Sequence, residues 1–241
     1  MRKRFLTLAI IMTGCVASTS TPSDPGLTAG GASGSEVATN PYGVPYPRTN
    51  IGTNASSHDA TRNQVGRRGS TMANFTLYGF PDGDGHKGLK RVDLSQYYDP
   101  EQKLGYKLIH IMGAGTWCPY CAGEMDRFAP VETTLQGKGV VLITVLLEGP
   151  TQGKVATTAD LLQWSYRFNP NYGQLIDSGG KFFGGYFDAV TMPWTAWIDP
   201  RTMEMLTSTV GVNPGATSEH AVEEADRWIN FLATNSAVVA P

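Results

Sequence analysis

Two continuous apolar runs constrain the fold of this chain more than any other feature. The runs are KLIHIM, residues 107–112, and GVVLITVLLEG, residues 139–149, and both contain several β-branched residues. Short runs of this kind are typical of strands that are covered on both faces, as in a sheet flanked by helices. We therefore expect both strands to lie inside a layered α/β structure.

The segment between the two runs predicts a helix. Four of its apolar residues fall on one helical face: Met125, Phe128, Val131 and Leu135. The helix is expected to start at the CPYC segment, residues 118–121. Strand, helix and strand in this order indicate a parallel βαβ unit with a right-handed crossover.

The remaining patterns predict the other elements of the domain. Strands are expected at residues 74–80, 194–199 and 203–210, and helices at residues 158–168, with Thr158 as the cap, and 221–232. The order β, β-α-β, α, β-β, α is that of an α/β sandwich with a mixed sheet. The composition adds that a formal net charge of -2, with 17% charged residues, gives no bias toward nucleic acid as a partner.

The first residues of the chain have the character of a secretion signal. A positive cluster, residues 1–4, precedes the apolar run FLTLAIIM, which is shorter than the roughly 20 residues that cross a membrane. The signal, residues 1–14, ends before Cys15 in a pattern that resembles the lipobox of bacterial lipoproteins, with Met12 in place of the usual leucine. That resemblance implies a lipidated Cys15; an ordinary signal peptide with a chance cysteine is the alternative.

The chain after the signal divides into a tether and a domain. Residues 15–70 are dominated by Ser, Thr, Gly, Pro, Asn and Ala, and such a segment buries too little apolar surface to offset its chain entropy. We expect a flexible tether, although Tyr42 and Tyr46 could dock loosely on the domain. Residues 71–236 are long enough for one well-packed core.

The CPYC segment places two thiols where a strand turns into a helix. Cys118 would lie at the helix N-terminus, where unpaired backbone N–H groups and the helix dipole favour a thiolate. Cys121 would lie one turn further on, close enough to attack whatever is bound to Cys118. This arrangement is suited to thiol–disulfide exchange.

Other uses of the two cysteines fit the sequence less well. A disulfide that closes so short a loop constrains the unfolded chain little. A zinc site needs four ligands, and the chain has no second cysteine pair and no histidines at ligand spacing. Haem attachment would need a histidine at position 122, where the chain has Ala122. We therefore expect no metal and no cofactor beyond the redox-active pair.

The motifs together resemble the thioredoxin fold and, more narrowly, the membrane-anchored TlpA-like thiol–disulfide oxidoreductases. The resemblance is carried by TWCPYC after a buried strand, by Glu124 and by VTMPWTAWID, residues 190–199. It implies a three-layer sandwich in which a cis-proline, Pro193, faces the active-site pair. It also implies that the backbone of Met192 pairs with an extended substrate.

The same resemblance implies roles for the residues around the thiols. Glu124 would accept the proton of Cys121, and Trp117 would shape the rim around the Cys118 sulfur. The dipeptide Pro119-Tyr120 would lie in the substrate-binding surface.

Three positions depart from the family pattern. Met112 stands where thioredoxins have a buried Asp and TlpA-like proteins usually have an Asn. Residues 113–116 replace a bulkier, aromatic segment, and Pro119-Tyr120 is the dipeptide of glutaredoxins. These departures affect the residues expected to influence proton transfer and the reduction potential.

The expected function is that of a monomeric envelope oxidoreductase that exchanges disulfides with protein substrates, in the reductase direction. A membrane or periplasmic electron donor would reduce its disulfide after each reaction. The lipid anchor would hold the protein facing the periplasm. The outer membrane is favoured over the inner one because Val16 follows Cys15. One alternative is a copper-binding lipoprotein that uses both cysteines and a distant histidine such as His220. A peroxiredoxin is a further alternative, but Ile111 stands at the position of its motif proline.

Overall fold

A seven-stranded mixed sheet organises the part of the chain that the computed structural model describes, residues 38–47, 69–183, 186, 191–213 and 215–235. The strands are β1 Thr76–Phe80, β2 Lys90–Asp93, β3 Leu108–Gly115, β4 Val140–Glu148, β5 Gly173–Ile176, β6 Trp194–Asp199 and β7 Glu204–Val210. The helices are α1 Pro119–Phe128, α2 Glu132–Gly137, α3 Thr158–Phe168 and α4 Ser218–Thr234. The strand order across the sheet is β2-β1-β5-β4-β3-β6-β7.

The central strand β3 confirms the predicted βαβ unit. It pairs in parallel with β4, with Leu108 opposite Val140, and antiparallel with β6, with Gly113 opposite Trp194. All eight of its residues are buried, as expected for a strand with helices on both faces. The fold is a thioredoxin-like α/β sandwich, and the predicted fold class is confirmed.

Three details of the sequence prediction are wrong. The single helix predicted after the CPYC segment is two helices, because Pro130 lies between α1 and α2 and cannot donate the backbone hydrogen bond that would continue the first. The cap of α3 is Thr157 instead of Thr158, and its hydroxyl accepts from the Asp160 N–H at 3.2 Å. Strands β2, KRVD, and β5, GQLI, were not predicted, because both are short and each has a single β-branched residue.

Part of the predicted tether packs on the domain. In the segment from Ala38 to Pro47, the buried Tyr46 donates from its hydroxyl to the Met72 carbonyl at 2.9 Å. The Asn40 side-chain amide donates to the Tyr98 carbonyl at 3.1 Å, so a polar anchor accompanies the aromatic one. Tether residues 16–37 and 48–68 and the lipobox with Cys15 lie outside the described residues. None of the helices in the described ranges combines the length and the apolar character needed to cross a membrane.

A buried ion pair holds the end of α4 against the sheet. Asp199, the last residue of β6, is 0% exposed, and the guanidinium of Arg201 lies 2.8 Å from its carboxylate. The same guanidinium donates to the carbonyls of Leu232 at 3.1 Å and Asn235 at 3.2 Å. Because the last carbonyls of a helix have no partner within it, Arg201 satisfies groups that α4 leaves free.

We predict that Arg201→Leu lowers the free energy of unfolding by about 3–5 kcal/mol, because it leaves a buried carboxylate without its partner. Urea denaturation followed by circular dichroism measures the change. Arg91→Leu is the matched control, since Arg91 forms an exposed pair with Asp93 at 3.1 Å and should cost at most about 1 kcal/mol. Equal losses in the two variants would contradict the prediction.

Candidate active site

Cys118 lies at the junction of β3 and α1. Its N–H donates to the Gly115 carbonyl at 3.1 Å, and its sulfur accepts from the Cys121 N–H at 3.2 Å, so that Cys118 is the N-cap of α1. Pro119 occupies the first helical position, where the missing N–H costs nothing. The predicted start of the helix at the CPYC segment is therefore confirmed, with the first sulfur at the helix N-terminus.

The two thiols differ in acidity. The pKa of Cys118 is lowered to about 7 by a hydrogen bond from the Cys121 thiol and by the backbone N–H groups of Cys121 and Tyr120, which together outweigh its burial. The pKa of Cys121 is raised, first by burial and then by its hydrogen bond to Cys118. At neutral pH Cys118 is thus the nucleophile, and Cys121 keeps its proton.

The cis bond predicted before Pro193 is present, and the residue before it contacts Cys118. The Met192–Pro193 peptide bond is cis, and both residues are buried immediately before β6. The Met192 carbonyl oxygen lies 3.6 Å from the Cys118 sulfur. Two segments that are 74 positions apart in the chain therefore meet at the nucleophile.

Trp117 is fixed by groups that the sequence did not indicate. Its indole Nε1 donates to the Glu148 carboxylate at 2.6 Å. A Cβ atom at Gly115 would lie 2.8 Å from the same Nε1 and 3.1 Å from the Met192 sulfur, so only glycine fits there without displacing a neighbour. The small residues that depart from the family pattern therefore include one whose small size the packing requires.

Glu124 is buried on α1, three residues after Cys121, and its carboxylate is paired with Arg127. Both carboxylate oxygens accept from the guanidinium, with the Nε to Oε2 distance at 2.9 Å. Arg127 also lies 3.5 Å from the Thr217 carbonyl, which precedes α4. The predicted proton acceptor is therefore a member of an ion pair, and its role stays a prediction.

His110 is a polar residue of the site that the sequence analysis missed. It lies on β3, two residues before Met112 and on the same face, and it is 5% exposed. Its ring lies 4.5 Å from each of the rings of Phe128 and Trp197. Burial, with a smaller contribution from Arg127, lowers its pKa to about 3, so the imidazole is neutral at physiological pH. The sequence feature that could have identified it is a histidine inside an apolar run.

Two cavities behind α1 share lining residues. His110 and Glu124 line both an open groove of about 580 Å³ next to α4 and a void of about 10 Å³ that also contacts Met112. The smaller void is close to the minimum for one water molecule, and its wall includes the polar side chains of Thr144 and Tyr172. Polar side chains thus line the void next to Met112, the position where the proteins that the sequence resembles have a buried Asp or Asn.

The outer surface of the site combines exposed and half-buried aromatic residues. Tyr120 is 62% exposed and Pro119 is exposed, whereas Cys118 itself is only 2% exposed.

His220 lies on α4, where its Nδ1 accepts from the Thr217 N–H at 3.1 Å. Among the described residues, no three His, Cys, Asp or Glu side chains lie together as a possible metal site.

Comparisons with known proteins identify the fold. No protein-family model matches the chain, and no curated protein matches its sequence. A Chlorobium tepidum protein assigned as the thiol:disulfide interchange protein DsbE superposes with a TM-score of 0.51 at 19% identity, over 68% of this chain and 98% of its own. A Bacteroides thetaiotaomicron protein assigned as a protein disulfide isomerase gives 0.51 at 18% identity, over 71% and 93%.

A third similar structure is AhpC of Enterococcus faecalis, with a TM-score of 0.50 at 15% identity, over 74% of this chain and 99% of its own. All three identities are too low to carry an activity from one chain to another. The likeness establishes that this chain has the thioredoxin fold, which proteins with different names share.

We predict that iodoacetamide alkylates Cys118 with a half-maximal rate near pH 7, its lowered pKa, whereas Cys121 stays unmodified because its pKa is raised. Mass spectrometry of the reduced protein over a pH series measures both rates. Cys121→Ala removes the thiol hydrogen bond to Cys118 and should move the midpoint toward the ordinary thiol value of about 8.5. A midpoint that stays near 8.5 in the unsubstituted protein would contradict this assignment.

We predict that His110 makes folding stability depend on pH. Its pKa is about 3 in the folded chain, and a histidine in an unfolded chain has a pKa of about 6.5. Between these values only the unfolded chain binds the proton, so stability is complete above pH 6.5 and is lost as the pH falls toward 3, by about 1.4 kcal/mol per pH unit.

The free energy of unfolding, measured in urea between pH 4 and 8, tests this. His110→Phe should flatten the slope below pH 6.5, whereas His86→Asn, at an exposed position, should leave it unchanged. A slope that is equal in all three proteins would show that His110 is not the titrating group.

Proposed function

We propose that the protein is a thiol–disulfide oxidoreductase of the cell envelope that exchanges disulfides with protein substrates through Cys118 and Cys121. The observation that carries the proposal is the opposite acidity of the two sulfurs. The pKa of Cys118 is lowered to about 7, whereas that of Cys121 is raised. A two-step exchange requires one sulfur that attacks as a thiolate and a second that stays protonated until the mixed disulfide has formed.

The exchange begins when the Cys118 thiolate attacks one sulfur of a substrate disulfide. The substrate S–S bond breaks, the second substrate sulfur leaves as a thiolate that takes up a proton, and a mixed disulfide forms on Cys118. Cys121 then loses its proton and attacks the Cys118 sulfur. The substrate leaves with two electrons gained and both sulfurs reduced, and the Cys118–Cys121 disulfide forms.

Glu124 is the proposed acceptor of the Cys121 proton. Its carboxylate is buried one helical turn after Cys121, and the Arg127 guanidinium donates a hydrogen bond to each of its oxygens. A proton that arrives there can leave through the groove next to α4, which Glu124 lines. This path would perform the proton transfer that a buried Asp or Asn would otherwise assist at position 112, where this chain has Met112.

The substrate is proposed to bind as an extended chain along Met192 and Pro193. An added strand forms backbone hydrogen bonds, and pockets for its side chains supply selectivity. Trp117, Pro119 and Tyr120 provide the apolar surface beside the sulfur, and the 62% exposure of Tyr120 makes its ring available to a partner.

The cellular setting remains part of the proposal. Cys15 would carry the lipid anchor, and the domain would act as a monomer that faces the periplasm, on the outer membrane in preference to the inner one. A membrane or periplasmic electron donor would reduce the Cys118–Cys121 disulfide after each turnover. Nucleic acid and metal ions have no part in this cycle.

We predict that Cys121→Ala accumulates mixed disulfides on Cys118 in cells, because the second step has lost its attacking thiol. Thiol-blocked extracts separated on non-reducing gels show these adducts, and reduction should release them. Cys118→Ala is the matched control and should form none. If neither variant traps a partner and the unsubstituted protein does not reduce insulin disulfides, the proposed function is wrong.

A further inference from the structure

Two tyrosine hydroxyls hold the peptide group between Met72 and Ala73. Its carbonyl oxygen accepts from the Tyr46 hydroxyl at 2.9 Å, and its N–H donates to the Tyr186 hydroxyl at 2.9 Å. Both tyrosines are buried. Tyr46 belongs to the segment before the domain, and Tyr186 lies in the connection between β5 and β6. One buried peptide group therefore links these two distant parts of the chain.

The segment that carries Tyr46 is an ordered hairpin, which we call the N-terminal strap, residues 38–47. Its ends are joined by a hydrogen bond from the Tyr46 N–H to the Ala38 carbonyl at 2.8 Å. Its turn is closed from the Asn40 N–H to the Val44 carbonyl at 2.9 Å, and the Asn40 side chain accepts from the Val44 N–H at 2.8 Å. The strap is thus a defined element that presents Tyr46 to the domain.

The Tyr46 side chain is enclosed by aromatic neighbours. Its ring lies 5.6 Å from the ring of Tyr98 in an edge-to-face arrangement. Burial, and then the neighbouring hydroxyls of Tyr186 and Tyr98, raise the pKa of Tyr46. The phenol therefore keeps its proton and remains a donor to the Met72 carbonyl at any physiological pH.

Tyr186 extends this contact toward the candidate site. Its ring lies 6.2 Å from the ring of Trp194, and both rings pack on Phe183, at 6.3 Å and 5.8 Å. Phe183 and Trp194 are both 0% exposed. Because buried aromatic rings fill their space closely, the position of Tyr186 limits where Trp194 can lie.

Trp194 is the residue next to the segment on which the substrate is proposed to bind. It begins β6 directly after Pro193. The carbonyl of Met192, one position earlier, lies 3.6 Å from the Cys118 sulfur. The strap thus reaches the neighbourhood of the nucleophile through one peptide group and two aromatic contacts.

We infer that Tyr46 and Tyr186 are positioning residues, which hold Trp194 and through it the backbone of Met192 and Pro193. This inference rests on the proposed function and makes the docked strap a part of the substrate-binding apparatus. A backbone that is not held in place has to be ordered when an extended substrate pairs with it, and that cost weakens binding. Release of the strap should therefore weaken the binding of protein substrates.

The chemistry of the sulfurs should not depend on the strap. The groups that lower the pKa of Cys118 belong to Cys121 and Tyr120 on α1. The described side-chain hydrogen bonds between the strap and the domain go to the carbonyls of Met72, Tyr98 and Lys103. A small disulfide such as hydroxyethyl disulfide has no peptide backbone to pair with Met192, so it reports on the sulfur chemistry alone.

Four substitutions in the full chain test the inference. Tyr46→Phe and Tyr186→Phe each remove one hydroxyl from the shared peptide group and keep the ring, whereas Tyr46→Ala also removes the ring. Tyr42→Ala is the matched control, because Tyr42 lies on the same strap but is 53% exposed and reaches only the Lys103 carbonyl, at 3.5 Å.

The kinetic readout compares insulin with hydroxyethyl disulfide. The KM for insulin should rise about threefold in each Phe variant, within the range of one neutral hydrogen bond, and about tenfold in Tyr46→Ala. The kcat for insulin and the rate with hydroxyethyl disulfide should stay within about twofold. The midpoint of Cys118 alkylation should stay near pH 7. Tyr42→Ala should match the unsubstituted protein in all four measurements.

The direct readout is hydrogen–deuterium exchange measured by mass spectrometry, which does not depend on activity. In Tyr46→Ala we expect faster exchange in residues 38–47 and also in residues 191–199, with residues 140–148 of β4 unchanged. Tyr42→Ala should leave exchange in residues 191–199 unchanged.

Three results would overturn the inference. Faster exchange in residues 38–47 alone would show that the strap does not position the Met192 segment. Equal increases in β4, or equal losses with insulin and hydroxyethyl disulfide, would mean a general loss of stability. A Tyr46→Ala variant with an unchanged KM for insulin would show that substrate binding does not need the strap. If the unsubstituted protein reduces neither disulfide, the proposed function is wrong, and the exchange data still decide whether the strap positions residues 191–199.

Discussion

The register of the central strand determines where every group of the candidate site lies. Strand β3 pairs with β4 on one side and with β6 on the other, and it ends three residues before Cys118. Its pairing with β6 places Trp194 opposite Gly113, which brings the preceding Met192 carbonyl to the Cys118 sulfur. A shift of one residue in either pairing would turn the side chains of β3 to the opposite face and separate these groups.

The polar groups behind α1 are distributed differently from the family pattern. Met112 lines the smaller cavity, and the polar groups next to it are His110 and Glu124, with Arg127 in the neighbouring groove. The carboxylate and the guanidinium neutralise each other, and the imidazole is uncharged. The region behind α1 therefore contains hydrogen-bonding groups with little net charge.

The features that could be predicted from the sequence have local or periodic signals. The apolar runs predicted the βαβ unit, and the CPYC segment with Pro193 predicted which residues meet at the nucleophile. The contact between Trp117 and Glu148 joins residues 31 positions apart, and it depends on a register and two rotamers that no local pattern encodes. His110 was missed for a related reason: a histidine in an apolar run gives no indication of which cavity its ring will face.

The glycine at position 115 couples the residues around it. A Cβ atom there would press on the Trp117 indole and on the Met192 sulfur, and these two side chains belong to the two segments that flank the nucleophile. The side chains at positions 115, 117 and 192 therefore depend on one another: a larger residue at position 115 requires a smaller one at position 117 or 192. These three positions should therefore be varied together when the surface next to the nucleophile is redesigned.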